Sequence, residues 1–270
     1  MKHEIKCIGC KSCYRECHLQ MDAITPTTDG VVVDLDLCNR CGHCVSVCPT
    51  GAMVHPLSPA QEAVKAPLSP EQALHFLRSL RSTRHYRQEL VPKELLCQLL
   101  DAGRYPPTAK NTQGVHYHVV RGQAQVQQVH DLYFEMARAL PMDHPEFPIL
   151  IRPVHNQEQK GFDALFYDCP QLIFAVCDKN KPADTRSVQF SLTYIALMAS
   201  SLGLGVCWAG QVQRFCAIED FREQLSSLIG LPKDQRIYGC MMVGYPDVTF
   251  RRLVARDPLQ VTWYEDPLVP

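Results

Sequence analysis

Eight of the 14 cysteines fall within the first 50 residues, in two runs of identical spacing. The first is Cys7-x2-Cys10-x2-Cys13-x3-Cys17, and the second is Cys38-x2-Cys41-x2-Cys44-x3-Cys48, followed by Pro49. Three thiolates on one tight loop can grip three corners of an iron–sulfur cubane, while the fourth cysteine of such a run ligates the neighbouring cubane. The expected ligand sets are therefore Cys7, Cys10, Cys13 and Cys48 for one [4Fe-4S] cluster, and Cys38, Cys41, Cys44 and Cys17 for the other. Structural zinc is the competing reading, because Cys-x2-Cys pairs also bind Zn²⁺. Zinc sites use paired couples, however, whereas each run here has four cysteines in a fixed 2-2-3 order, which favours clusters. His18 follows Cys17 where Pro49 follows Cys48, a departure that removes no ligand. The later Cys97, Cys169, Cys177, Cys207, Cys216 and Cys240 sit in apolar surroundings with no pairing rhythm and read as reduced core thiols.

The rest of the chain has no P-loop, no Gly-x-Gly-x-x-Gly and no His-Glu-x-x-His. Four other segments have chemistry to offer. Arg81-Ser82-Thr83-Arg84 flanks a hydroxyl with two guanidiniums, which suits a phosphate monoester; the same residues would also serve a solvated helix end. Tyr105 to Gln113 places small and polar residues after two prolines, able to lie along a planar ring or simply to form a turn. In Ser201-Leu202-Gly203-Leu204-Gly205-Val206-Cys207-Trp208-Ala209-Gly210, small residues permit close backbone approach, and a free Ala209 or Gly210 N–H could reach a ring nitrogen. Equally, those glycines could just join a helix to a strand. Gly244-Tyr245-Pro246 leads to Arg251, Arg252 and Arg256, a further phosphate partner or a solvated basic surface.

In this order the four segments resemble the nitroreductase family of FMN-dependent flavoproteins, over about residues 70–265. Residues 1–55 resemble a bacterial ferredoxin with two [4Fe-4S] clusters, so the whole is similar to the ferredoxin-fused branch of that family. The resemblance implies an α+β fold: a mixed sheet flanked by helices in a homodimeric flavin protein, preceded by a small ferredoxin-like βαβ-type domain. It implies that Arg81, Ser82 and Arg84 bind the FMN phosphate end, and that Pro107, Thr108 and Ala109 lie against the isoalloxazine from the second subunit. Asn111 would be a nearby polar contact. Ala209 and Gly210 would turn backbone N–H groups toward flavin N5 and O4, with Arg256 and then Arg252 reaching the phosphate. Leu80 and Asp257 stand where relatives often carry basic residues, and Gly114 where a Pro is frequent. The flavin carries the hydride chemistry in such enzymes, so no catalytic side chain is assigned. His85, His116, His118, His130, His144 and His155 read as structural or surface residues.

The elements that must position these groups are legible in part. Residues 1–58 form the cysteine-rich domain, 59–70 a Pro- and Ala-containing linker, and 71–270 the flavin-type domain. Asp29-Gly30 ahead of Val31-Val32-Val33 predicts a hairpin between the cysteine runs. Ser69-Pro70-Glu71-Gln72 predicts a capped helix start, and a second helix follows Pro92. A strand is expected at 116–121, a helix near 123–139, and an irregular stretch at 140–168 in which Asp163 and Asp168 either gate the pocket or, as the preferred reading, belong to a solvated loop. Strand 171–177, a buried helix at about 187–202, strand 204–209, a helix at about 217–229 and strand 236–245 follow, with a short strand at 260–263. Strands separated by helices make a layered architecture.

With 27 basic and 28 acidic residues in 270, the chain lacks the charge to hold nucleic acid or an anionic membrane surface. The uncharged stretch Ser187 to Gln213 contains eight Ser, Thr or Gln residues and three glycines, which argues for a buried helix and strand rather than a membrane span. Met1 to Cys7 has no apolar leader core, so a cytoplasmic location is expected. The reading is an enzyme in which two clusters feed electrons to FMN for reduction of a small organic acceptor, such as a nitro compound or quinone. A low-potential ferredoxin-like protein or NAD(P)H would be the donor. The alternative is a redox carrier or sensor with no dedicated small-molecule substrate.

Overall fold

A computed structural model describes residues 7–18, 21–63, 65, 67–181 and 184–264. The chain start at residues 1–6, read above for a leader, and Ala66 of the linker lie outside the described residues.

The cysteine-rich domain consists of helix α1 (Ser12–His18), the antiparallel hairpin of β1 (Ile24–Thr27) and β2 (Gly30–Val33), and the short helix α2 (His43–Ser46). The hairpin turns at Asp29-Gly30, where Gly30 takes a φ of 152°. Its core is small: Ile24, Cys44 and Met53 are buried, with Tyr14, Val31, Val33 and Val45 packed against them. A core of this size is thin support for an independent domain, and cross-linking through its cysteines would supply what burial does not.

After the linker, α3 (Pro70–Ser79) begins with the expected capping box. The Gln72 amide donates to Ser69 Oγ at 3.2 Å, and Gln72 Oε1 accepts from the Ser69 amide at 3.0 Å. Then come α4 (Lys93–Ala102), β3 (His116–Arg121) and α5 (Gln123–Ala139). The next elements are α6 (Phe147–Leu150), α7 (Arg152–Lys160), β4 (Gln171–Asp178), α8 (Asp184–Ser201), β5 (Gly205–Trp208), α9 (Gly210–Phe215), α10 (Glu219–Leu228) and β6 (Gln235–Gly244).

The four strands pair in the order β3-β4-β6-β5, each neighbouring pair antiparallel. A parallel bridge from Ser82 to Val206 adds a further segment at the β5 edge, so the layer is mixed. The alternation expected of a strand covered on both faces is plain in β4. Leu172, Phe174 and Val176 enter one core with Val126, Val129, Tyr133 and Phe134 of α5. Ile173, Ala175 and Cys177 enter the other with Val188, Leu192, Ile195 and Ala199 of α8. No helix among the described residues is long and apolar enough to cross a membrane. The uncharged stretch forms α8, β5 and the start of α9, and α8 is buried on one face only, with Phe190 and Tyr194 exposed on the other.

Three expectations are corrected. Segment 140–168 is not irregular throughout, because α6 and α7 each carry a proline in their first turn, where its missing N–H costs nothing. The helix expected at about 217–229 is present as α10, but the stretch between it and strand β5, for which no element was expected, holds a further helix, α9. Residues 260–263 form no strand: they run exposed and unpaired, and an extended segment needs a partner edge to become one.

Two cysteine hollows and the segments beside strand β5

The eight cysteines of the runs surround two hollows. Cys17, Cys38, Cys41 and Cys44 line one, with Ile24, Val33 and His55. Cys7, Cys10, Cys13 and Cys48 line the other, with Pro26, Gly30 and Val31. Each hollow thus takes three cysteines from one run and one from the other. The exchange follows from helix geometry: Cys13 and Cys17 stand one turn apart on α1, so their side chains serve opposite ends of it. The hairpin walls both hollows with alternate cross-strand pairs, Ile24 with Val33 and Pro26 with Val31.

The two loops repeat one backbone conformation. Gly9 and Arg40 each precede the second cysteine of their run, with φ of 67° and 58°; Lys11 and Gly42 each follow it, with φ of 61° and 75°. These left-handed residues turn amides toward sulfur. The Gly9 N–H donates to Cys7 Sγ at 3.5 Å, and the Arg40 N–H to Cys38 Sγ at 3.4 Å. Hydrogen bonding with the Ser12 side chain, 3.5 Å from Cys10 Sγ, and with its backbone holds that thiol below its usual range. Burial pushes Cys13 and Cys44 upward. Cys7 and Cys10 are exposed, whereas Cys44 is buried, so one hollow faces solvent and the other lies deeper. Among the described residues, no three His, Cys, Asp or Glu side chains converge on the position of a single metal ion. Each hollow gathers four cysteine sulfurs, the donor type of a [4Fe-4S] cluster, so the residues present fit that group.

Arg81, Ser82 and Arg84 are laid along the β5 edge. The Thr83 N–H donates to the Val206 carbonyl at 2.9 Å, and the Arg87 N–H to the Tyr245 carbonyl at 2.9 Å. Arg81 and Ser82 line a hollow with Leu192, Thr193, Val206, Cys207 and Trp208. The Arg84 guanidinium lies 5.8 Å from the Tyr167 ring centroid. Burial raises the Cys207 thiol, and Arg84 and Ser82 oppose that rise. Arg81 and the Ser82 hydroxyl thus share this hollow at the strand edge, and Arg84, outside its lining, lies next to Cys207 and Tyr167.

Of the other flavin-side residues, Gly210 opens α9, where first-turn amides have no intrahelical acceptor. Ala209 does not offer a free amide, contrary to expectation: its N–H donates to the Cys240 carbonyl at 2.9 Å, closing the β5–β6 edge. Arg252 and Arg256 are exposed on the extended chain after β6, outside the Arg81 hollow. Pro107 and Ala109 are exposed and Thr108 is half-buried. Their loop is held by the Gln113 amide on Thr108 Oγ1 at 3.1 Å and is strained, with φ near 50° at Lys110, Asn111 and Gln113. Asn111 bonds within its own chain: its Nδ2 donates to the carbonyls of Asn39 at 3.1 Å and Arg40 at 3.0 Å, between Cys38 and Cys41. The flavin-type loop is thereby stapled to the deeper cysteine hollow.

Three side chains have roles that the sequence motifs do not assign. His55 is buried against Cys38. Asp163 is no solvated residue. Its carboxylate accepts from the amides of Leu165, Phe166 and Asp168 at 2.8–3.0 Å, and so shapes the turn that delivers Tyr167 to Arg84. His130, buried beneath that turn, meets Gln157 Oε1 at 3.0 Å. The Asp163 role was readable as a side-chain cap on the next residues; that of His55 had no local signal.

Comparison with known proteins follows the same division. The 4Fe-4S dicluster domain matches residues 6–52, and the nitroreductase family matches residues 77–245. A nitrobenzene nitroreductase of Ectopseudomonas oleovorans is 26% identical over 201 residues, covering 64% of this chain and 86% of its own. A component of the ion-translocating oxidoreductase complex of Methanosarcina acetivorans is 42% identical over 50 residues, 18% of each chain. The crystal structure of an FMN-bound nitroreductase from Bacteroides fragilis superposes with a TM-score of 0.56 at 22% identity, covering 71% of this chain and 98% of that one.

Proposed function

The chain belongs to the nitroreductase family of oxidoreductase enzymes, and on that premise we propose that it takes electrons in through two cysteine-bound [4Fe-4S] clusters and delivers them by way of FMN to a small organic acceptor. The observation that carries this reading is the Asn111 staple, which ties the loop expected to cover the flavin to the loop bearing Cys38 and Cys41. When bound, the clusters move single electrons and FMN combines two of them for transfer to the acceptor.

The chain's own residues supply positions and polarity. Cys7 and Cys10, exposed on the outer hollow, mark the side open to a low-potential ferredoxin-like donor, while reduced nicotinamide would use the open flavin face directly. Arg81, Ser82 and Arg84 would hold the FMN phosphate, and Gly210 would present its amide to the ring. Loop 107–111 is not part of the Arg81 hollow of its own chain, which supports completion of the flavin site by a second copy. Apolar faces left open on one chain support the same homodimer: Phe190 and Tyr194 on α8, and Leu74 and Leu77 on α3. Specificity for the acceptor would lie in segment 140–168, which ends at the Asp163 turn beneath Arg84.

Purified protein with its iron, sulfide and flavin quantified, reduced anaerobically and then offered nitroaromatics, quinones and activated alkenes, tests the reading. The expected result is flavin reoxidation accelerated at least tenfold by one acceptor class. Reoxidation no faster with any acceptor would favour a carrier or sensor. Asn111→Ala removes two hydrogen bonds worth about 1 kcal/mol each and is expected to slow passage of electrons to the flavin roughly tenfold in stopped-flow traces, with iron and FMN content unchanged. Asn111→Asp, which turns a carboxylate on two carbonyls, is expected to slow it further.

A further inference from the structure

His55 helps close the deeper hollow, lined by Cys17, Cys38, Cys41 and Cys44, and is 1% exposed. Its two ring nitrogens have different partners. The Leu57 amide donates to Nδ1 at 3.1 Å, so Nδ1 is an acceptor and holds no proton. The ring proton is therefore on Nε2, which lies 3.3 Å from Cys38 Sγ. A turn of the backbone two residues away selects this tautomer, and the result is an N–H donor on a buried ring, aimed at the half-buried Cys38 sulfur.

The outer hollow has its own donors: Ser12 at 3.5 Å from Cys10 Sγ and the Thr50 hydroxyl at 3.7 Å from Cys48 Sγ. It is also the more exposed of the two, and both hydrogen bonds to sulfur and exposure to solvent shape a cluster's potential by stabilising added negative charge. The deeper hollow has little solvent and, apart from the Arg40 amide that mirrors Gly9, one side-chain donor among the described contacts to its sulfurs, His55. Without it a cluster there would be the harder of the two to reduce, and electrons would stop at the outer one.

We propose that His55 is a positioning residue that raises the reduction potential of the deeper cluster through its Nε2–H bond to Cys38, so that an electron lost by the outer cluster is accepted by the deeper one. The electron comes from the low-potential donor already invoked, and no proton or bond changes hands. This rests on the reading of the eight cysteines as ligands of two clusters.

Potentiometric titration of the full-length, cluster-loaded protein, followed by electron paramagnetic resonance, tests it. In His55→Leu one midpoint is expected to fall enough to shift electron occupancy between the clusters about tenfold, which is 59 mV for a one-electron couple. The other midpoint should stay in place. His55→Gln, which keeps an N–H donor, is expected to hold close to the original values. Unchanged midpoints in His55→Leu, or equal shifts in the two variants, would overturn the proposal. Should neither variant retain both clusters, the unaltered protein decides. With ring-¹⁵N histidine, the reduced deeper cluster should couple to an imidazole nitrogen, and the coupling should persist in His43→Gln; no coupling would overturn the proposal. An unaltered protein with iron for only one cluster would instead sink the cofactor reading beneath it.

Discussion

Cys17→Ala is expected to remove the cluster of the other cysteine run and leave its own in place. Cys17 lines the deeper hollow with Cys38, Cys41 and Cys44, while Cys7, Cys10 and Cys13 face the outer one with Cys48. A protein whose runs each held their own cubane would lose the first-run cluster on this substitution; the crossed arrangement loses the second. About half the iron and acid-labile sulfide should go, and the surviving signal should be the one perturbed by Cys10→Ser. Function separates the two hollows more sharply. Because the Asn111 staple lies on the Cys38–Cys41 loop, loss of the deeper cluster breaks the route to the flavin. Electron delivery from a ferredoxin-type donor should fall by at least about two orders of magnitude, since the remaining cluster lies on the far side of the emptied hollow. Direct reduction of the flavin by dithionite should continue, and FMN content should hold. Cys48→Ala is the reciprocal experiment: it should empty the outer hollow, retain the deeper signal and lower the rate of donor oxidation. If either variant removed the cluster of its own run, the crossed sets would be wrong.

What the sequence reveals here depends on how local the physics is. The crossed cysteine sets are legible as an expectation because the 2-2-3 spacing that implies them is complete within each run. The Ser69–Gln72 capping box and the two-residue alternation of β4 are local in the same sense. Pro148 and Pro153 read as breakers, yet each sits in the first turn of a helix, and only the surrounding chain distinguishes those cases. Residues 260–263 have the alternation of a strand but no described edge to pair with. Ala209 illustrates a subtler limit: composition shows that backbone can approach closely there, but the pairing that occupies its amide depends on Cys240, in a strand 31 residues on. His55 lies at the far end of this scale. Its importance comes from a sulfur 17 residues back in the chain and an amide two residues ahead, and no motif predicts either.

The second large effect is expected at Gly205, where the flavin-side segment and the sheet are closest. The Ser82–Val206 bridge and the Thr83 N–H on the Val206 carbonyl place Thr83 directly over the first residue of β5. A Cβ on Gly205 would stand 2.5 Å from Thr83 Oγ1, 2.7 Å from its Cγ2 and 2.8 Å from its Cβ. Thr83 is itself buried, and the Gly205 side of β5 is held in register by pairing with Gly244. Neither partner can retreat without breaking hydrogen bonds. Gly205→Ala should therefore cost about 3 kcal/mol as overpacking, or roughly 10 °C in Tm. The displaced group is the Arg81–Arg84 segment, so bound FMN should be lost well before the fold is, visible as protein purified with its iron but without yellow flavin. Thr83→Ala in the same chain removes the two nearest atoms and leaves only the Cβ contact. The double variant should recover part of both the stability and the flavin, a non-additivity expected only of residues in contact. Gly205→Ala with normal flavin content would show that the Arg81–Arg84 segment does not depend on its seat against β5, and would remove the structural basis for placing the phosphate there.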